Sequence, residues 1–530
     1  MDYTHILRDA RRQFEAGHLV ESAQLCRKYL RLRPADPEAA RLYGRIAVAM
    51  DTTSDAVVIF EKLLAMRPRD SDALEQLAIA YDRLGDVDKA RSYAERALAV
   101  NERAGGALLA LGSIELSRGD EERGRALLER ARDAGVMDEV IDTTIAQELL
   151  QKGRFDEGLA LARRLIAASP DHGTHYARLA RSKTFEAGDP DASLVLSLLE
   201  PGGQLRPAVA AEGLSAVDAY LALYKMESDL ENYEQAFEYL ALSKEARLRD
   251  APESAGDQAA QGQNAHDADV FTAEFAAQRR ASACQDDSPI FVVGMPRSGT
   301  TLLERVLATN EAIAPAGELS HLGRILQEVC ARVGKNQFDI KAMKKVPDTM
   351  WAQIGAEYVK RARASLPECR YFVDKMPGNF SHIGFIKAAL PKARIIHLYR
   401  HPIATCFSIF EQNFGYRHGY NASMETLAKA YLTYHEDMAH WRKAFPGGFA
   451  ELSYESLVSK PEQTIEHLSE SLGLVFDLGV LNRSQEGGEI RTASYWQARQ
   501  PINARSVARW EHFREQLAPL INGLQPILPG

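Results

Sequence analysis

Apolar and polar positions in the first half of the chain repeat with a period of about 34 residues. The segment YLRLRPADPEA at 29–39 aligns with LLAMRPRDSDA at 63–73, so large apolar, proline and small positions recur together. Pro68 follows Pro34 by one such period and precedes Pro170 by three. A period of this length is typical of an array whose single units are too small to bury their own apolar faces.

Small residues keep the same period. Gly44, Ala78 and Gly112 follow one another at this interval, and the same interval separates Ala56 from Ala90. Small side chains allow the two helices of a hairpin to approach closely, and proline ends a helix before the next unit begins. The period and its fixed small and proline positions resemble the tetratricopeptide repeat.

This resemblance implies an α-solenoid over residues 1–250. It would hold about five helix pairs, followed by a capping pair at 208–248. Such a solenoid offers a concave surface to a peptide or protein partner, and it can equally join two copies of the chain as a homodimer. Residues 251–287 are expected to be a linker rich in Ala, Gly, Gln and Asp, followed by a short helix.

The second half opens with a strand, a glycine-rich turn and a helix. The β-branched run at 290–293 predicts a buried strand, 294–299 is the turn, and an amphipathic helix starts at Thr300. This order places backbone N–H groups and a helix N-terminus around a phosphate. The spacing fits the phosphate-loop pattern, but Thr300 stands where its lysine is expected. A kinase is therefore disfavoured, although it stays a rival, and Arg297 supplies a cation instead.

The segment PRSGTTL at 296–302 resembles the 5′-phosphosulfate loop of sulfotransferases that use 3′-phosphoadenosine 5′-phosphosulfate (PAPS). The resemblance implies that five consecutive residues bind this donor: Arg297, Ser298, Gly299, Thr300 and Thr301. The family's second element is a strand that ends in arginine, with serine eight residues on. The segment 393–410 provides Arg400 and Ser408 at that offset, which implies binding of the donor's 3′-phosphate.

Two further segments resemble the tyrosylprotein sulfotransferases. In AIAPAGELSHLGRIL at 312–326, Glu318 matches the catalytic base of that branch, and in YFVDKMPGNF at 371–380, Lys375 matches its lysine. Sulfuryl transfer requires a base for the acceptor hydroxyl and cations for the charged transition state. Glu318 can alternatively be a carboxylate stabilised by a helix dipole, and His321 is a second candidate base.

The remaining matches lie near the C-terminus. Tyr454 matches a family tyrosine beside the nucleotide, with a packing role as the alternative. In the loop 492–510, Ser494 falls where the tyrosylprotein branch has a serine aimed at the transferring group. Arg505 is placed to reach the 3′-phosphate, with ordinary loop polarity as the alternative. Gln500 stands where a lysine is expected, which leaves a different acceptor open.

Composition limits the classes of function. The chain has 530 residues, with 64 Lys and Arg against 73 Asp and Glu, so its net charge of −9 argues against nucleic-acid binding. Five cysteines without a CxxC pair indicate neither a disulfide framework nor a zinc site, and no metal is required. Without a long apolar run or a secretory signal, we expect a soluble, cytoplasmic protein with no membrane span.

We therefore predict a tetratricopeptide α-solenoid (1–250), a linker (251–287) and a P-loop-like α/β sulfotransferase domain with a parallel sheet (288–530). The expected donor is PAPS, and the expected acceptor is a hydroxyl of a protein or peptide, such as tyrosine. A saccharide or small-molecule acceptor and a non-catalytic repeat scaffold stay open. The expected catalytic residues are Glu318, Lys375, Arg297 and Ser494.

Overall fold

A computed structural model describes residues 3–16, 18–50, 52–83, 86–210, 213–249, 270–333, 340–364, 366–413, 420–477 and 506–528. These residues form two compact units. The first unit contains the described residues before 250 together with 412–413 and 420–422. The second contains those from 270 to 411, from 423 to 477 and from 506 to 528.

The first unit is a succession of helices that pack against their chain neighbours. They are α1 (Thr4–Glu15), α2 (Leu19–Leu32), α3 (Pro37–Ala49), α4 (Thr53–Met66), α5 (Ser71–Arg83), α6 (Val87–Val100), α7 (Gly105–Ser117), α8 (Glu121–Asp133), α9 (Asp138–Gln151), α10 (Phe155–Ala168), α11 (Gly173–Arg181), α12 (Pro190–Leu196), α13 (Pro207–Ala210), α14 (Gly213–Asp229) and α15 (Tyr233–Arg249). Helices α2, α4, α6, α8 and α10 each begin one repeat period after the one before, at Leu19, Thr53, Val87, Glu121 and Phe155. The predicted helical repeat is therefore confirmed.

Close packing explains why the small positions recur. A Cβ added to Gly44 would lie 2.4 Å from the ring of Phe60, and one added to Gly112 would lie 2.7 Å from Leu128. Successive pairs are also joined by polar contacts, since Arg41 donates from Nη2 to Oδ2 of Asp70 at 2.8 Å. The repeat thus reflects two kinds of contact, the close packing of the two helices within a pair and the polar contacts between successive pairs.

A short piece of the later sequence belongs to the first unit. The Arg247 guanidinium donates from Nη1 to Oδ1 of the buried Asn421 at 2.6 Å. Lys244, also buried, donates from Nζ to the carbonyl oxygen of Gln412 at 3.1 Å. The capping helix α15 therefore binds residues that follow it by more than 160 positions.

The second unit alternates strands and helices. Its strands are β1 (Pro289–Val293), β2 (Ile313–Pro315), β3 (Tyr371–Asp374), β4 (Arg394–Tyr399) and β5 (Ala450–Ser453). Its helices are α16 (Ala273–Arg279), α17 (Thr300–Leu307), α18 (His321–Arg332), α19 (Asp348–Arg363), α20 (Ile383–Ala389), α21 (Pro402–Phe410), α22 (Met424–Ala444), α23 (Tyr454–Ser459), α24 (Pro461–Leu472) and α25 (Ala518–Leu524). Short 3₁₀ helices cover Ile340–Lys345, Pro377–His382, Arg509–Phe513 and Gln525–Ile527.

The five strands form one sheet in the order β2-β3-β1-β4-β5, and every pair is parallel. This confirms the predicted parallel sheet. β1 is buried along its whole length, as a central strand covered on both faces must be. One core cluster contains Leu303 of α17, Ile396 of β4 and Leu468 of α24. Within the described parts of the chain, no helix has the length and apolarity needed to cross a membrane.

Candidate active site

The predicted site residues of the second unit follow the carboxyl ends of its strands. β1 leads into Gly294, β3 into Lys375, β4 into Arg400 and β5 into Tyr454, while Glu318 comes three residues after β2. Because parallel strands have their carboxyl ends at the same edge of a sheet, the five segments meet there. This edge is where ligands of open α/β sheets bind.

The turn between β1 and α17 has the shape of an anion-binding loop. Gly299, which caps α17, has a φ of +100°, and a Cβ there would lie 2.3 Å from the Tyr454 ring. Arg297 also lies in the left-handed region, with a φ of +68°, which is uncommon for a side chain that carries a Cβ. Local strain of this kind occurs where a loop is held in shape for a ligand.

Two arginines join the two predicted donor motifs. Arg297 donates from Nε to the Ser408 hydroxyl at 3.1 Å, and Arg400 donates from Nη1 to the Arg297 carbonyl oxygen at 3.3 Å. Burial lowers the pKa of Arg297 to about 10, with Glu411 favouring the charged form and Arg400 opposing it. Burial also lowers the pKa of Arg400. Two partly desolvated guanidiniums favour binding of a multiply charged anion.

Tyr454 and Ser506 complete the surroundings of Arg400. The guanidinium carbon lies 4.9 Å from the centre of the Tyr454 ring, close enough for a cation–π interaction. The Tyr454 hydroxyl is hydrogen-bonded to the Ser506 hydroxyl at 2.8 Å, and Arg400 donates to the Ser506 carbonyl oxygen. Tyr454 therefore packs against both Arg400 and the backbone of Gly299, so it shapes this edge of the site.

Two polar atoms in this region test whether a phosphorylated nucleotide fits. The Ser298 hydroxyl and Nε of Arg400 are buried, and neither makes a hydrogen bond to any residue that the structure describes. A buried polar group without a partner is costly and calls for a ligand or an ordered water. Both atoms donate, so phosphate or sulfate oxygens would satisfy them. The residues present thus fit the anionic ends of PAPS.

A second group of charges lies one strand away from the glycine-rich loop. Lys375 donates from Nζ to Oε1 of Glu318 at 2.6 Å. The lysine side chain is completely buried, whereas that of Glu318 is 44% exposed. The Gly294 N–H donates to the Pro377 carbonyl oxygen at 3.1 Å, which connects the loop to the segment that carries the lysine. The carboxylate is therefore accessible from outside the described residues, while the ammonium is shielded by them.

Sequence reasoning missed Glu304, on the same helix that follows the loop. This side chain is 9% exposed, and its Oε1 accepts a hydrogen bond from the Gly317 N–H at 2.9 Å. Burial raises the pKa of Glu304, and the charge of Lys375 acts in the opposite direction. The available signal was a carboxylate between Leu303 and Val306, on the apolar side of an amphipathic helix.

Arg509 and Glu411 were also missed. Arg509 ion-pairs with Glu411, whose carboxylate is nearly buried at the end of α21. The charges of both residues act on Arg297. Nothing local in the sequence marks this pair, because its members are 98 positions apart.

Ser494, Arg505 and Gln500 lie outside the residues that the structure describes. Thr301 is the second residue of α17 and is half-buried. His321 is the first residue of α18, three positions after Glu318.

The first unit holds a cluster of side chains of the metal-binding type. Among the described residues, Glu139, His172 and His175 each place one possible ligand atom within 4.8 Å of the others. Arg178 donates to Nδ1 of His175 at 3.3 Å, which leaves Nε2 protonated to donate to Glu139 at 2.9 Å. The nitrogen that would face a metal is therefore engaged in a hydrogen bond, and a guanidinium lies beside it.

Comparison with known families gives two matches. Residues 289–477 match the model of the sulfotransferase family, and residues 43–99, 75–135 and 143–195 match a tetratricopeptide repeat model. The chain therefore contains a sulfotransferase domain together with tetratricopeptide repeats. The described site residues, from Arg297 to Tyr454, fall within the first match.

Two proteins give further similarities. An uncharacterized protein of Aquifex aeolicus is 28% identical over 398 residues, which are 74% of this chain and 50% of that protein, so the match spans half of its length. A Caenorhabditis briggsae protein named "Putative protein-tyrosine sulfotransferase" is 25% identical over 250 residues, which are 45% of this chain and 86% of that protein.

The chain is also similar to solved structures of both kinds. The sulfotransferase domain of the Synechococcus PCC 7002 olefin synthase is 22% identical, with a TM-score of 0.29, and the match covers 43% of this chain and 88% of that one. A tetratricopeptide repeat protein of Thermus thermophilus is 24% identical, with a TM-score of 0.30, and the match covers 34% of this chain and 97% of that one.

Proposed function

We propose that this protein transfers a sulfuryl group from PAPS to a hydroxyl of a protein or peptide, with tyrosine as the acceptor side chain. The proposal rests chiefly on one observation. The Glu318–Lys375 ion pair, at 2.6 Å, lies one strand away from a phosphate loop that has threonine in place of the nucleotide-kinase lysine. This combination suits transfer of an already activated anionic group to a hydroxyl.

The donor supplies a sulfuryl group on a good leaving group, so the protein's task is to position charges and move one proton. The loop N–H groups, Ser298 and Arg297 would hold the phosphosulfate end. Arg400 and Ser408 would hold the 3′-phosphate, with Tyr454 fixing the arginine. Ser494 and Arg505 remain proposals drawn from the family resemblance.

The two members of the Glu318–Lys375 ion pair would have different roles in the reaction. Glu318 is exposed enough to meet an acceptor and would take the proton of its hydroxyl. Lys375, beside it and buried, would stabilise negative charge that develops on the leaving oxygen, together with Arg297. These roles require the Glu318 and Lys375 side chains to separate during the reaction, because one ammonium cannot pair fully with both the Glu318 carboxylate and the leaving oxygen.

The acceptor class rests on two arguments that are independent of the charges. The name of the Caenorhabditis briggsae relative supports tyrosine, and tetratricopeptide repeats are suited to holding a peptide. Both arguments favour a macromolecular acceptor over a small molecule.

Binding of the desulfated donor tests the proposal first. Calorimetry of 3′-phosphoadenosine 5′-phosphate, without magnesium and with ATP and ADP for comparison, should show selective binding. Arg400→Ala should weaken it by ~10–100-fold, the range expected when a charged hydrogen bond is lost. Arg361→Ala is the matched control, since Arg361 pairs with Glu328 on α18 and with Glu357 on α19.

No binding, or an equal preference for ATP, would reject the donor class and favour a kinase or a scaffold. The acceptor is tested separately with sulfur-labelled PAPS and peptides that contain tyrosine or phenylalanine at one position. Label on the tyrosine peptide alone supports the proposal. Label on a saccharide panel but on no peptide would overturn the peptide part while keeping the donor.

A further inference from the structure

We propose that Asp374 is a positioning residue, whose carboxylate fixes the backbone next to Lys375 and thereby holds the Lys375 ammonium against Glu318. This inference rests on the proposed function, because Lys375 and Glu318 have their roles in the sulfuryl transfer assigned there. In the sequence Asp374 only precedes the lysine, and its contacts are supplied by the tertiary structure.

One carboxylate oxygen of Asp374 shapes the turn at Lys375. Asp374 is the last residue of β3, and it is completely buried. Its Oδ1 accepts a hydrogen bond from the Met376 N–H at 3.1 Å. A contact between an aspartate side chain and the N–H two residues on is an Asx turn, which bends the chain at the residue between them. That residue is Lys375, so the turn sets the direction in which the lysine leaves the strand.

The other carboxylate oxygen anchors Asp374 itself. Its Oδ2 accepts from the Tyr358 hydroxyl at 2.6 Å and from Nδ2 of Asn379 at 3.3 Å. Tyr358 is buried on α19, and its ring centre lies 5.3 Å from that of Phe291 on β1. Asn379 is buried in the 3₁₀ helix that starts at Pro377. Because packed elements hold Oδ2, the oxygen that shapes the turn is held in place as well.

The backbone on both sides of the lysine is therefore fixed. The Lys375 N–H donates to the carbonyl oxygen of Gly317 at 2.8 Å, in the turn that carries the proposed base, and the next N–H donates to Asp374. The Pro377 carbonyl oxygen then accepts from the Gly294 N–H of the glycine-rich loop at 3.1 Å. This short segment connects the proposed base to the donor loop, and Asp374 stabilises its centre.

The contact with Met376 does not depend on the charge of Asp374. Burial raises the pKa of Asp374 to about 7, whereas the hydrogen bond from Tyr358 favours the ionised form. In either state Oδ1 serves as an acceptor, and the Tyr358 hydroxyl can donate to Oδ2 or accept from it. Asparagine should therefore replace Asp374 with little loss of function.

Three substitutions separate the contact from the packing. Asp374→Asn keeps an oxygen for the Met376 N–H, whereas Asp374→Ala and Asp374→Leu remove it. Leucine also fills the space of the side chain, which keeps the test valid if the alanine variant does not fold. We expect the alanine and leucine variants to lower kcat by ~10–100-fold, because a displaced catalytic group loses much of its effect. KM for PAPS should change less than about twofold, and asparagine should restore kcat to within about fivefold of the wild type.

Tyr358→Phe is the matched control. It removes a hydrogen bond from the same buried carboxylate but leaves the contact with the Met376 N–H in place. Its kcat should stay within about threefold of the wild type, whatever its urea midpoint. A purely structural role of Asp374 predicts the same kcat per folded molecule in every variant. That result, or an equal loss in Asp374→Asn and Asp374→Leu, would overturn the inference.

Lysine labelling tests the positioning of Lys375 without any turnover. The full-length variants are treated with acetic anhydride, and the rate at each lysine is measured by mass spectrometry. The buried Lys375 should stay protected in the wild type, in Tyr358→Phe and in Asp374→Asn. It should react ~3–10-fold faster in the alanine and leucine variants, because its segment opens more often. Lys387, partly buried on α20, reports general unfolding and should keep its wild-type rate.

The labelling outcomes distinguish this inference from the proposed function. Unchanged labelling of Lys375 in Asp374→Leu, or an equal rise at Lys387, would reject the positioning role. Faster labelling of Lys375 alone, with no PAPS-dependent turnover even in the wild type, would support the positioning of the lysine and reject only the proposed function.

Discussion

Arg297 donates a hydrogen bond to the hydroxyl of Ser408 at 3.1 Å, although 111 positions separate them in the chain. One residue lies in the glycine-rich loop and the other on the helix after β4. The contact brings together the two segments that the sequence assigns to opposite ends of the donor. Under the proposed function, it would connect the recognition of two phosphate groups within one site.

Ser408→Ala tests this connection. Removing the hydroxyl should weaken binding of 3′-phosphoadenosine 5′-phosphate by ~3–10-fold, because Arg297 loses a partner and the ligand loses one donor. Calorimetry measures the change. Ser471→Ala is the control and should bind normally, because the Ser471 hydroxyl donates to the Leu468 carbonyl oxygen within α24. Equal affinity of Ser408→Ala and the wild type would remove Ser408 from the site.

Glu318→Gln tests the proposed base. The amide can still accept a hydrogen bond from Lys375, but it cannot take a proton, so kcat should fall by ~10²–10⁴-fold. Steady-state kinetics with labelled donor measure this, and nucleotide affinity should change less than about twofold. Glu311→Gln, an exposed carboxylate in the turn before β2, is the control. Undiminished turnover in Glu318→Gln would transfer the role to His321.

Gly299→Ala tests the shape of the loop. The new Cβ would lie 2.3 Å from the Tyr454 ring, and the alanine would have to adopt a backbone φ of +100°. We therefore expect the free energy of unfolding to fall by about 1–3 kcal/mol. Urea unfolding followed by tryptophan fluorescence measures it. Gly323→Ala is the control, since Gly323 lies inside α18 with open space around it. A Gly299→Ala protein of wild-type stability would contradict the strained loop.

The Glu451 carboxylate should make stability depend on pH. Hydrogen bonds from His397 and Arg442 lower the pKa of Glu451 from 4.5 to about 2. A carboxyl pKa that is lowered by folding stabilises the folded state at pH values above the pKa in the unfolded chain. This contribution is lost as the pH falls from about 4.5 towards 2. The urea midpoint of the wild type should therefore exceed that of Glu451→Gln at pH 6, exceed it by less and less below pH 4.5, and converge with it as the pH approaches 2.

The control for this pH series is Glu470→Gln, an exposed position on α24. Its urea midpoint should follow the wild type throughout. A constant difference between wild type and Glu451→Gln from pH 6 to pH 3 would show that packing, rather than ionisation, accounts for the effect of Glu451.

Particular residues show how far the sequence could predict the site. Gly299, Arg297 and Arg400 were identifiable because each belongs to a short motif next to a strand. Glu304 was not, since its hydrogen-bond partner Gly317 lies in a different segment, after β2. The attachment of Asn421 to helix α15 was also absent from the prediction.

The sequence by itself determined the features that depend on neighbours along the chain. These are the period of the helical repeat, the strand and glycine-rich turn at 289–299, and the cation at the end of β4. Local periodicity and backbone sterics are sufficient for them, because they involve few residues at short spacing.

Only the tertiary structure decided which of these features meet. The strand order β2-β3-β1-β4-β5 places the ends of β2 and β3 side by side, and this brings Glu318 to Lys375 across 57 positions. No local pattern encodes that order, because it results from burying every strand of the sheet at once. The arrangement of charges at the carboxyl ends of the strands is therefore a property of the packed core.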